Sequence, residues 1–172
     1  MTTAPDYPAL LHEQLDWHWQ YQARPRLDGL TDEEYLWEPV PGCWSVHPDH
    51  VDFEHPAPEP TPVTTIAWRV AHLVVGVLAM RSASHFGGPS ASYETWDYAL
   101  TAKEALAQLD EEYARWSAGV RTLGDDGLAR PCGPAEGPFA DVPMAALVLH
   151  INREMIHHSA EIALLRDLYA HR

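Results

Sequence analysis

The sequence predicts an all-α protein, a four-helix bundle, with long loops after the first helix and before the last. Three observations predict it. Apolar side chains recur at three- and four-residue spacing through four long stretches. Capping residues stand where helices should begin, and Pro- and Gly-rich connections lie between them. The chain carries no alternating β pattern and no internal repeat.

The elements follow in order. Asp6 caps the first helix, with Pro8 in its opening turn, and Leu10, Leu11, Leu15, His18 and Trp19 give its stripe. The pattern runs through Gln22, and Pro25 bends or interrupts it. Thr31 and Glu34 form a capping box for a short turn, DEEYLW. A Pro/Gly loop, EPVPGCWSV, then carries Trp44, placed either as a lid on the bundle end or in the wall of a pocket. Residues 47–62 read as a mobile surface loop holding His47, His50 and His55, with nothing in the sequence to fix a metal geometry there. Thr64 or Thr65 caps the second long helix, whose stripe is Thr65, Trp68, His72, Val75 and Ala79, and Gly87-Gly88-Pro89 ends it. Thr101 and Glu104 box the third, which buries Leu106, Leu109, Tyr113, Trp116 and Val120 and runs to Leu123 before Gly124. The last helix is expected after Asp141 as cap, with Pro143 in its first turn and Met144, Leu147, Ile151, Ile162 and Leu165 facing the core.

At 172 residues the chain is read as one domain, 1–172, long enough for a full core. No run approaches the roughly 20 apolar residues of a membrane span. The N-terminal MTTAPDYPALLHEQ lacks the basic and apolar regions of a signal peptide, so the expected location is cytoplasmic. A formal net charge of −14 speaks against nucleic acid and anionic membrane as partners. Cys43 and Cys132 stand in no CxxC and read as reduced structural thiols.

Two polar residues interrupt the apolar stripe of the last helix. Glu154 and His158, four apart, stack about 6 Å apart along the axis. A carboxylate and an imidazole buried together need compensation, supplied either by a divalent metal or by their own ion pair. A bundle brings His72 from the second long helix within reach of both. Two histidines and a carboxylate with open positions are the design of a catalytic rather than a closed structural site, and suit zinc, iron or nickel. His150 lies eight residues from His158, roughly 12 Å along the axis, too far to share one ion easily. His157 and Glu161 sit at the edge of the stripe, as residues behind the ligands, as an exposed pair, or as an acid/base pair.

The stretches LLHEQLDWHWQ, GLTDEEYLWEPVPGCWSV, TTIAWRVAHLVVG and HINREMIHHSAEIALLRDLY together resemble the DinB/YfiT superfamily of metal-binding four-helix proteins. That family places one histidine on the second helix and an HxxxH pair on the last. His72 matches the first, and His158, before SAEI where the family often has RGQI, matches the final one. Glu154 occupies the remaining place, so the implied metal ligands are His72, Glu154 and His158. The resemblance also implies helices running up-up-down-down, a homodimer and a small-molecule substrate. Its best-understood branches use low-molecular-weight thiols such as mycothiol, so it implies a thiol S-transferase in which the metal, zinc first among candidates, activates the thiol. In that reading Trp44 and Trp68 line the cofactor pocket, while His157 or Glu161 is the acid/base residue of the hydrolase or isomerase alternative. Metal-dependent hydrolysis or isomerisation, or a non-catalytic dimeric metal-binding bundle, are the alternatives.

Overall fold

The computed structural model describes residues 5–172, and among them the regular elements are helices, joined by three isolated β-bridges. Helix α1 (Tyr7–His18) starts at Asp6, whose carboxylate accepts from the Ala9 N–H at 3.0 Å. It runs on through a π turn (Trp19–Ala23) and ends in a 3₁₀ turn (Pro25–Leu27) where proline removes the next donor. Helix α2 (Asp32–Tyr35) is the single turn capped by Thr31. Helix α3 (Ile66–His72), a π segment (Leu73–Ala79) and α4 (Met80–Phe86) form one continuous rod, started by the Thr65 hydroxyl and ended by Gly87 at φ 75°. Helix α5 (Ala102–Arg121) opens on the Thr101/Glu104 box. Helix α6 (Asp125–Ala129) and a 3₁₀ segment (Pro134–Phe139) lead to α7 (Met144–Ala170).

Side-chain pairs across the helices fix their directions. His12 meets Ser117, Asp16 meets Tyr113 and Arg24 meets Asp110, so α1 and α5 are antiparallel. Asn152 bonds the Leu11 carbonyl and Arg26 reaches Asp167, so α1 and α7 run parallel. Arg69 meets Glu161 and His72 meets His158, so the rod opposes α7. Phe86 packs on Trp116 while α2, bonded to Ala102 at the start of α5, also touches α3, so the rod and α5 are parallel. The four long segments therefore run up-down-down-up, not the expected up-up-down-down. The physical requirement is a return path between the parallel rod and α5. Residues 87–101 supply it, since at about 3.3 Å per residue they outreach a helix about 30 Å long.

Three further expectations are corrected. Asp141 does not cap α7. Pro143 holds the cap position, because Cys132 N–H bonds the Val142 carbonyl and Met144 N–H is taken up by the Arg130 carbonyl at 2.8 Å. Residues 45–52 are not a loose loop. Ser45 and Asp52, and His47 and His50, pair through backbone bonds of 3.0 and 2.8 Å, closing a small hairpin. Finally, the 21-residue rod Ile66–Phe86, with mean hydropathy 1.3, is apolar enough to cross a membrane by length and composition. It is a core helix: Val70, Leu73, Val74, Val75 and Leu78 are fully buried against α5 and α7.

Both cysteines are buried and free, and the Cys43 thiol donates to the Val40 carbonyl at 3.0 Å. Arg166 on α7 grips Glu34 in α2 through Nε–Oε1 at 2.7 Å and Nη2–Oε2 at 3.2 Å, and donates to the carbonyls of Arg26 and Asp28. Both partners are largely buried, so neither carboxylate nor guanidinium has water to fall back on. Arg166→Ala is expected to lower unfolding free energy by about 3–5 kcal/mol in urea titrations, because it leaves Glu34 charged and unpaired. A loss below about 1 kcal/mol, the range of an exposed pair, would contradict this.

Candidate metal centre

The antiparallel seam between the rod and α7 sets residue 72 opposite residues 154 and 158. The His72 and His158 rings meet edge-on, 4.8 Å between centroids at 86°. One ligand atom each from His72, Glu154 and His158 lies within 4.8 Å of the other two, and His158 Nε2 is 3.4 Å from Glu154 Oε2. His158 is buried, while Glu154 keeps a quarter of its side chain exposed, so solvent or substrate has access from that side.

Each imidazole is held from behind. His72 Nδ1 lies 2.9 Å from the Tyr93 hydroxyl, and His158 Nδ1 lies 2.6 Å from Glu161 Oε2. Arg69 Nη1 sits 3.1 Å from the same Glu161 oxygen and 3.3 Å from His158 Nδ1. A guanidinium accepts no hydrogen bond, so the latter approach is two donors converging on one carboxylate. That arrangement puts a proton on His158 Nδ1 and leaves Nε2 facing Glu154. His72 is held neutral: burial first, and His158 second, press its pKa down to about 4, against the pull of Glu154. Two imidazoles and a carboxylate, offering one atom each within 4.8 Å of the others, are a competent donor set for a divalent ion once the rings are neutral.

Tyr93 comes from the return segment 87–101 and depends on a glycine. A Cβ built on Gly76 would stand 1.9 Å from the Tyr93 hydroxyl oxygen, so only glycine lets the phenol reach His72. Gly76 lies inside the π segment Leu73–Ala79, the kind of local rewinding that helices show at functional sites. The phenol pKa is pushed up to about 12 by burial, keeping it protonated. His72 and Tyr93 separate two cavities. One, of about 390 Å³, is walled by Val51, Phe53 and Trp68 beside the hairpin. The other, of about 190 Å³, contains Gly76, Arg81, His150 and Glu154.

The remaining expected residues divide. Trp68 lines the larger cavity, stacks on His72 at 5.4 Å and donates from Nε1 to the Asp52 carbonyl at 2.7 Å. Trp44 stands behind it, 6.0 Å from the Trp68 ring, and is not among the residues lining that cavity. Glu161 has one oxygen committed to His158 and Arg69, and its other oxygen is 3.4 Å from His157 Nε2. His157 itself is exposed and lines neither cavity. Sequence reading missed Tyr93, Arg69 and Gly76. Tyr93 lies in an irregular segment without periodicity, whereas a glycine inside the apolar run LVVGV was a visible signal, costing about 1 kcal/mol against alanine in a helix.

In metal-free protein the His72 imidazole is expected to titrate near pH 4, well below a free histidine. Because the folded pKa is the lower one, the unfolded chain binds the proton first. Stability is fully present above about pH 6.5 and declines as pH falls toward 4. Histidine NMR titration checks the assignment, and a His72 midpoint at or above 6.5 would refute the neutral, buried imidazole. Gly76→Ala is expected to break the Tyr93–His72 bond, visible as a shift of the His72 Nδ1 resonance.

A family model described as the DinB superfamily matches residues 14–162, most of the chain and all three candidate ligands. No curated protein and no solved structure matches it. The matched region spans both sides of the seam, from α1 to the third turn before the end of α7. The chain therefore belongs to the DinB superfamily.

Proposed function

We propose that this protein is a metal-dependent enzyme of the DinB superfamily, built as a four-helix bundle, that transfers an electrophilic small molecule onto a low-molecular-weight thiol. The observation that carries the reading is the convergence of His72, Glu154 and His158, each imidazole backed by an oxygen, beside a cavity large enough for a small organic molecule. His72, Glu154 and His158 are the proposed ligands, and zinc suits them best, with nickel and iron as rivals. Such an ion supplies Lewis acidity, which lowers the pKa of a sulfur nucleophile at neutral pH.

The protein's own groups do the rest. Tyr93 and Glu161 fix the orientation of the two imidazoles, and Arg69 pairs with Glu161 beside His158. Apolar walls from Val51, Phe53 and Trp68 hold the organic part of a substrate and exclude water. Glu161 acts here as a positioning residue. His157, exposed and 3.4 Å from its outer oxygen, is the candidate to exchange protons with solvent. The protein's own thiols are not the nucleophile: burial pushes the Cys132 pKa up, and Cys43 is tied to a backbone carbonyl. We further propose that it works in the cytoplasm as a homodimer through the neighbouring α1 and α7, which leave Leu10, Trp17, Tyr21, Leu149 and Leu164 exposed.

Metal linkage tests the centre. The melting temperature of the parent protein should rise with added Zn²⁺ and fall with chelator, as for any ligand that prefers the native state. His158→Ala should lose that response. Glu161→Gln should keep the fold but weaken metal affinity by about 10–100-fold. A parent whose melting ignores both chelator and added Zn²⁺, Ni²⁺ and Fe²⁺ would end the metalloenzyme reading. The thiol is tested separately: its ultraviolet thiolate absorbance should grow at neutral pH only with metal-loaded protein. For the dimer, sedimentation should give twice the chain mass, and Trp17→Glu should shift it to one.

A further inference from the structure

We infer that the hairpin at residues 45–52 holds a second divalent cation, through His47, His50 and Asp52. Sequence alone gave no reason to prefer this, since HPDHVD sits among prolines and acids with no helix to impose a spacing. The fold imposes one. The backbone bonds His47 N–H to His50 carbonyl and Asp52 N–H to Ser45 carbonyl fix the register, and Ser45 N–H donates to Asp52 Oδ2 at 2.9 Å. The Ser45 hydroxyl is 3.0 Å from that of Thr65, the cap of the rod that carries His72, so the hairpin is anchored to the site's own scaffold.

Within this frame one ligand atom each from His47, His50 and Asp52 lies within 4.8 Å of the other two. His47 Nε2 is 3.0 Å from Asp52 Oδ2, and His50 Nε2 is 3.8 Å from Asp52 Oδ1. The two imidazoles stack nearly parallel, 4.4 Å apart at 15°. Asp49 occupies the outer nitrogen, Nδ1, of His50 at 2.8 Å, which fixes the tautomer with Nε2 turned toward Asp52. The pattern repeats that of the seam: two imidazoles, one carboxylate between them, and a second carboxylate behind a ring. His55, the third histidine of the segment, takes no part. The side chains are partly exposed, so exchange with solvent cations is open, and two nitrogens with one oxygen favour Zn²⁺, Ni²⁺ or Cu²⁺ over Mg²⁺ or Ca²⁺. His50 and Asp52 face the same 390 Å³ cavity as His72 and Trp68, so an ion here lies in the wall of the proposed substrate chamber and stiffens it.

The test is the stoichiometry of Zn²⁺ bound by metal-free full-length protein against a competing chromophoric chelator. The parent is expected to bind two equivalents. His50→Ala and Asp52→Asn should each bind one, and His158→Ala should also keep one. In His158→Ala, added Zn²⁺ should shift the imidazole nitrogens of His47 and His50, and far-ultraviolet circular dichroism of each variant should match the parent. Two equivalents in both hairpin variants, or none in His158→Ala, would overturn the proposal. The inference does not rest on the helical centre: a single equivalent in the parent, unchanged by His158→Ala but lost in His50→Ala, would refute that centre and leave the hairpin site standing.

Discussion

The antiparallel contact between the rod Ile66–Phe86 and α7 is the constraint from which the rest follows. Two histidines face each other across it, at a place where both helices otherwise bury aliphatic side chains. Burying imidazoles costs free energy unless every nitrogen has a partner. The outer nitrogens find theirs in Tyr93 and Glu161, and the inner pair is left facing Glu154. The polar cluster is thus not a flaw in the core. It is a core position where the direction of each ring has been assigned by its neighbours.

Those neighbours come from far along the chain. Tyr93 is delivered by the segment that must travel back along the molecule because the rod and α5 run parallel. The π segment and Gly76 remove the atoms that would block its hydroxyl. Arg69 and Glu161 belong to the same seam, one turn from the histidines they support, and neutralise each other while holding His158. Helix direction, return loop and ligand orientation are consequently one problem with one solution.

Charge is distributed unevenly around this centre. The cavity beside Trp68 has Asp49, Asp52 and Glu94 at its edge and neither lysine nor arginine in its lining, whereas the smaller one contains Arg81 and His150. An ion held by two neutral imidazoles and one carboxylate would keep a net positive charge there, with Glu154 itself lining the smaller cavity.

The sequence by itself determined the long helices and four of the helix starts. Asp6, Thr31, Thr65 and Thr101 cap where they stand because capping is local: a side-chain oxygen meets an N–H three residues on. It also determined the candidate ligands, since spacing of four on one helix puts Glu154 and His158 on one side whatever the surroundings. It did not determine helix direction, which depends on how a connection spans the molecule, nor the start of α7, where a distant carbonyl at Arg130 replaces the expected Asp141 cap. The hairpin at 45–52, Tyr93, and the roles that separate Glu161 from His157 were likewise decided only by tertiary structure. Each rests on a contact between segments far apart in the chain, and local periodicity carries no information about such contacts.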